Sequence, residues 1–190
     1  MFPRFISRFV CVVAALSVAG CAGNSKEFQK KARERNPAPC PNVLVLQEAA
    51  DMVEFVGEPA LENIAFSGEV TGVETSCRYF ADTPIEAEIR VSFAFGKGPM
   101  ANANVKNMKY FVAVTRTNKE FIAKEEFDLP VNFKRGDVVT ISDTVGNIVI
   151  PRKDDSTSGT NFEIVVGLVL TKQQVIYNRS GKSLKFPDLQ

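Results

Sequence analysis

The chain contains no histidine and no tryptophan, and only four of its 190 residues are cysteine. Without histidine there is no general base for serine–histidine or cysteine–histidine catalysis, and a zinc site would lack its usual imidazole ligands. Without tryptophan the Cys–Trp–Cys core of true immunoglobulin domains is excluded. A helix that crosses a bilayer needs roughly 20 apolar residues, and the run Phe9–Gly20 reaches little more than half of that. An excess of one charge is missing too: 23 basic residues face 22 acidic ones. Nucleic-acid binding therefore has no electrostatic footprint, and no such partner is expected.

Motifs for chemistry are equally scarce. The acid pairs Glu125/Glu126, Asp154/Asp155 and Glu86/Glu88 show no sign of the burial that would separate two carboxylate pKa values for acid–base work. Lys153–Asn161 offers oxygen ligands but not the register of a calcium loop, and reads as a mobile hairpin loop. Gly96–Asn104 holds a Gly-x-Gly without the strand-to-helix setting of a phosphate site, and is expected to be a loop. No nucleophile announces itself beside a base. A protein that is not an enzyme, with no cofactor and no metal, is the expectation.

What is present begins at the N-terminus. Arg4 and Arg8 precede Phe9–Gly20, and small residues close the run; this is the layout of a secretory signal peptide. Val18-Ala19-Gly20-Cys21 resembles the lipobox of bacterial lipoproteins, with Val in place of the usual Leu. The resemblance implies cleavage after Gly20 and acylation of the Cys21 thiol with palmitate-type chains. Ala22, where an Asp would favour retention at the inner membrane, implies the periplasmic face of the outer membrane. The chain thus divides into a signal peptide at 1–20, a tether at 21–42, a folded domain at 43–180 and a tail at 181–190.

The tether is polar and ends in Pro37, Pro39 and Pro41. Its basic arm, Lys26, Lys30, Lys31, Arg33 and Arg35, outweighs Glu27 and Glu34. It is either a solvated linker or a segment lying against acidic head groups, each base near such a surface contributing ~1 kcal/mol. Cys11 departs with the signal and Cys21 is acylated, which leaves Cys40 and Cys77. In an oxidising compartment a lone pair of this kind is expected to form a disulfide, the alternative being two free buried thiols.

From Val43 onward the pattern is β. Ile85–Phe95 alternates strictly, with Ile85, Ala87, Ile89, Val91, Phe93 and Phe95 on one face and Glu86, Glu88, Arg90 and Ser92 on the other. Further strands are expected at Val43–Leu46, Ile64–Val73, Cys77–Phe80, Lys109–Arg116, Glu120–Phe127, Val138–Ser142, Asn147–Pro151 and Asn161–Leu170. A parity change near Gly72 predicts a bulge, Arg116–Glu120 a hairpin turn, and Pro130 an edge strand or one that bends between sheets. Short helices are expected at Glu48–Val56 and at Thr171–Arg179, the second capped by Thr171 and ended by Gly181. Together these elements predict an all-β fold, an antiparallel immunoglobulin-like sandwich with one or two short helices, with a lipocalin-like barrel as the alternative.

The strands around Phe111 and Val165 are apolar on both faces. A sandwich strand buries only one, so either Val175 and Ile176 of the C-terminal helix fold over the second face, or Phe111, Val165 and Val169 form a partner patch. The lipobox, "CPNVLVL", "YFVAV" and "VGLVLTKQQVIYNR" together resemble a group of uncharacterised proteobacterial lipoproteins. The expected role is a lipid-anchored binding or structural module that meets an envelope protein or the cell wall; the alternative is a carrier of a lipid or other hydrophobic ligand.

Overall fold

The computed structural model describes residues 39–118 and 120–181. The expected signal peptide, Cys21, the basic arm from Lys26 to Arg35 and the tail beyond 181 lie outside the described residues. Eight strands follow in order: β1 (Asn42–Val45), β2 (Asp51–Phe55), β3 (Ile64–Arg78), β4 (Ile85–Lys97), β5 (Val105–Arg116), β6 (Phe121–Asn132), β7 (Val138–Ile150) and β8 (Phe162–Leu168). Among the described residues one α-helix, α1 (Lys172–Arg179), comes last, and short 3₁₀ turns precede β2, β3 and β8.

Strict alternation decides where these strands go. Along β4 the residues at the positions of Ile85, Ile89, Val91 and Phe93 are buried, while Glu86, Glu88 and Arg90 between them are exposed. Period two puts every second side chain on one face of a sheet, and burial of that face drives two sheets together. Sheet I has the order β1-β8-β5-β6 and sheet II the order β2-β3-β4-β7. Pairing is antiparallel except between β1 and β8, which run parallel. The two sheets stay separate, so the fold is a β-sandwich and the closed lipocalin-like barrel is not formed. Between them lie Phe66, Phe93, Phe95, Tyr110, Phe133 and Phe162, all fully buried; the Phe93 and Tyr110 rings meet across the sheets at 5.0 Å.

Several boundaries differ from the sequence expectation, each for a local reason. Glu48–Val56 is not a helix: Gln47–Ala49 makes one 3₁₀ turn and Asp51–Phe55 extends as β2. The turn carries the chain from sheet I to sheet II, where pairing with β3 outweighs helical spacing of the apolar residues. β3 runs unbroken through both expected strands, because a register shift between Val70 and Gly72 absorbs the parity change without ending the pairing. β7 likewise joins Val138–Ser142 to Asn147–Ile150, with Asn147 at φ 58° inside an irregular stretch. β6 continues past Pro130, as an edge strand can.

Lys153–Asn161 is not a hairpin loop. It crosses from β7 of sheet II to β8 of sheet I, and Arg152 clamps it. The Arg152 guanidinium donates to the carbonyls of Thr157 (2.6 Å), Asp155 (2.8 Å), Ala81 (2.6 Å) and Thr83 (3.0 Å), and lies 4.6 Å from the Tyr79 ring. The chain enters the domain beside this clamp. The Tyr79 hydroxyl donates to the Pro39 carbonyl and accepts from the Gly159 amide, both at 2.8 Å. Cys40 and Cys77 form the expected disulfide, with Cα atoms 5.7 Å apart. It ties the segment that leads into β1 of sheet I to β3 of sheet II.

Helix α1 has the caps read from its sequence. Thr171 Oγ1 accepts from the Gln174 amide and the Gln174 side chain accepts from the Thr171 amide, while Gly181 follows at φ 71°. The helix docks on the β2 side: Asn178 donates to the carbonyls of Glu48 and Asp51, Gln174 donates to that of Val53, and Tyr177 packs edge-on against Phe55 at 5.3 Å.

Candidate functional site: the outer face of sheet I

Sheet I turns Met108, Tyr110, Val112 and Val114 of β5 inward, so Lys109, Phe111 and Ala113 point outward. Register then sets their neighbours. Ala113 pairs with Val165, which pairs with Leu44, so these three make one apolar row across three strands. In the next row Phe111 pairs with Gly167; the Val169 amide then donates to the Lys109 carbonyl at 2.9 Å and continues the pairing. Phe111, Val165 and Val169 therefore share one face, as the patch reading requires.

The cover is not the one expected from sequence. Ile176 does not cover this face: it is 69% exposed, and α1 bonds through Gln174 and Asn178 to the backbone of β2 and of the turn before it. Ala49 of the 3₁₀ turn supplies the cover instead. A Cβ on Gly167 would lie 2.7 Å from the Ala49 Cβ and 2.8 Å from Phe111 Cε1, so the glycine is what lets Phe111 and Ala49 close over the strand. On the far side the Lys124 ammonium stands 4.7 Å from the Phe111 ring centre and pairs with Glu126 at 2.7 Å. Phe111, Val165 and Val169 are consequently half-buried. Leu44 and Leu46 at the β1 margin stay 36% and 39% exposed. Nothing in the residue pattern alone singled out Leu44 and Ala49, because it is the parallel pairing of β1 that brings them to Val165 and Gly167.

The outer face of sheet II is built differently. It presents Glu69, Glu74, Ser76, Arg78, Glu86, Glu88, Arg90 and Ser92, with Glu74 opposite Arg90 and Arg78 bonded to Glu86 at 2.6 Å. An open groove of about 470 Å³ runs beside the disulfide, lined by Ser76, Cys77, Arg78, Glu86, Ala87, Glu88, Asn147 and Val149. Its charged walls and open form suit water better than an apolar ligand. Glu86 and Glu88 lie on this wet face, Glu86 held by Arg78. Asp154 accepts from the hydroxyls of Ser156 and Thr157, and these bonds lower its pKa. Among the described residues no three His, Cys, Asp or Glu side chains converge where a metal could bind.

One polar link inside the sandwich escaped the sequence reading. The hydroxyl of the fully buried Tyr110 donates to Asp143 Oδ2 at 2.8 Å, joining β5 of sheet I to β7 of sheet II. Burial first, then the hydrogen bond and the carboxylate's charge, raise the Tyr110 pKa well above its ordinary value. The signal was legible in β7, where Asp143 stands on the same parity as Val139, Ile141 and Val145. No family model, no curated protein and no solved structure matches this chain.

Proposed function

We propose that the protein is a non-enzymatic module of the bacterial envelope, anchored by lipid on Cys21 at the periplasmic face of the outer membrane. It binds another envelope component, a protein or the cell wall, through the outer face of sheet I. The lipobox-like Val18–Cys21 supports the anchor, and the basic arm Lys26, Lys30, Lys31, Arg33 and Arg35 supports a position close to acidic head groups. The observation that carries the binding role is the apolar row Leu44, Val165 and Ala113, flanked by Phe111 and left open at Leu44 and Leu46. A contiguous apolar strip on a protein surface marks an interaction site. A carrier of a lipid or hydrophobic ligand would call for an enclosed apolar cavity, and the charged groove beside the disulfide gives that reading no support.

Leu44 separates binding from folding because more than a third of it is exposed. Leu44→Lys in the full-length protein should shift the melting temperature little and remove a partner that photo-crosslinks from Leu46 in intact cells. Retention of every crosslink would overturn this face as the binding surface. Cys21→Ser tests the anchor separately, since it should release the protein from the membrane fraction.

A further inference from the structure

The sandwich is closed on one side and open on the other. On the closed side, the 3₁₀ turn Gln47–Ala49 links β1 to β2 and α1 packs across β2. On the open side, β6 ends sheet I and β7 ends sheet II, and the two are not hydrogen-bonded to each other. Each therefore presents a row of unpaired backbone N–H and C=O groups.

Those two edges are treated in opposite ways. β6 carries Lys124, Glu125, Glu126, Asp128 and Pro130, the charges and proline that keep a second strand from adding to an edge. β7 reads VVTISDTVGNIVI, with one charge in thirteen residues, no proline and no lysine. Its two outward valines, Val138 and Val149, are 74% and 60% exposed. On its inward side Val139, Ile141, Val145 and Ile148 pack on the core yet remain only half-buried, because sheet II stops at this strand. One more strand with apolar residues at alternate positions would complete both the hydrogen-bond ladder and the core.

The charge at the centre of that inward row says more about the occupant. Asp143 accepts from the Tyr110 hydroxyl and from the Thr144 amide, and neither donor carries a positive charge. Across the opening, Glu125 of β6 sits on the same face as Phe127, whose ring stacks on Tyr110 at 5.1 Å. Lys124 points to the other face of β6 and is engaged with Glu126 and Phe111. The inward faces of β6 and β7 thus offer two carboxylates and no base, and Lys134 and Arg135 stand at one end, in the segment that joins the two strands. Two copies paired through the middle of β7 would set Asp143 opposite Asp143, which like charges disfavour.

We propose that β7 is a docking edge for an extended segment of another polypeptide, which adds to sheet II by strand addition. The added strand places apolar residues at alternate inward positions and a lysine or arginine opposite Asp143. Backbone pairing provides affinity, and the side chains that meet Ile141, Asp143 and Val145 provide selectivity. This surface lies on the opposite sheet from the apolar face of sheet I and does not depend on it.

The probes are two nine-residue peptides of alternating valine and threonine, one with a central lysine on the valine side and one with a central glutamate. Hydrogen–deuterium exchange is followed on the full-length protein in detergent. The lysine peptide should slow amide exchange across residues 138–150 at least tenfold and leave 121–132 unchanged, and the glutamate peptide should bind at least tenfold more weakly. Asp143→Asn should abolish the preference between the peptides. Ile141→Lys should abolish protection by both, with circular dichroism confirming that the variant is folded. Absence of protection, equal protection by the two peptides, or protection of residues 121–132 instead would each overturn the proposal. Protection of 138–150 that rises with protein concentration and without peptide would replace it with pairing between two copies of this chain.

Discussion

Sheet I has an apolar strip on its outer face, with Leu44, Val165 and Phe111, and a free edge filled with Lys124, Glu125, Glu126, Asp128 and Pro130. Sheet II has a charged outer face, with Glu69, Glu74, Arg78, Glu88 and Arg90, and a free edge on which Asp143 is the one charge. Each sheet protects itself from unwanted contact at one kind of surface and leaves the other kind open. Their inner faces, by contrast, are interchangeable in character: both are rows of Phe, Val and Ile that exclude water. Hydrophobic burial explains the shared interior. It does not explain why two sheets of one core should differ outside, and those differences are where binding is proposed.

The strongest way to break the comparison is to let the sheets come apart. The Cys40–Cys77 bond closes a loop with a sequence separation of 37 and ties the segment before β1 to β3. By the chain-entropy argument, its loss costs roughly 4 kcal/mol. Replacing both cysteines by serine should move the urea midpoint down accordingly, and reductant should then have no further effect on the variant.

A matched pair of glycines sharpens the contrast between the outer faces. Gly167 on sheet I is packed under Ala49 and Phe111, whereas a Cβ on Gly72 of sheet II would meet nothing within 4 Å. Gly167→Val should cost about 3 kcal/mol through overpacking. Gly72→Val should change stability by less than about 0.5 kcal/mol, as surface substitutions do. Equal losses in thermal melts would show that the two faces are covered alike.

The smallest effect concerns the Tyr110–Asp143 bond between the sheets. Tyr110→Phe removes the donor to Asp143 Oδ2 and should cost about 1 kcal/mol at neutral pH. The folded protein holds the phenolic proton more tightly than the unfolded chain, whose tyrosine titrates near pH 10. This contribution is therefore fully present below about pH 10 and is lost as the pH rises above it. Melting curves of the two proteins should converge above pH 10, and a constant gap through alkaline pH would exclude Tyr110 as the titrating group.

The alternation in Ile85–Phe95 was enough to place β4, and Pro130 narrowed β6 to an edge strand or one that bends between sheets. The last helix was legible from Thr171 and Gly181, because caps are local chemistry. Helical spacing at Glu48–Val56 misled, since a five-residue strand has too few residues to establish a period against its neighbours. The two-sided apolarity of β5 and β8 was visible, and so was the need for a cover. That Ala49 takes part in the cover, and that Ile176 stays exposed, was not.

By itself, then, the order of residues determined the strand faces, the capped helix Lys172–Arg179 and the two cysteines available for a bond, all of which depend on side-chain type and close spacing. Only the tertiary structure decided which strands lie at the edges, that β1 runs parallel to β8, and that Tyr110 reaches Asp143 33 residues away. Those outcomes depend on strand pairing between distant segments. One alternating strand offers the same ladder of donors and acceptors as another, and only packing of the whole interior selects among the partners.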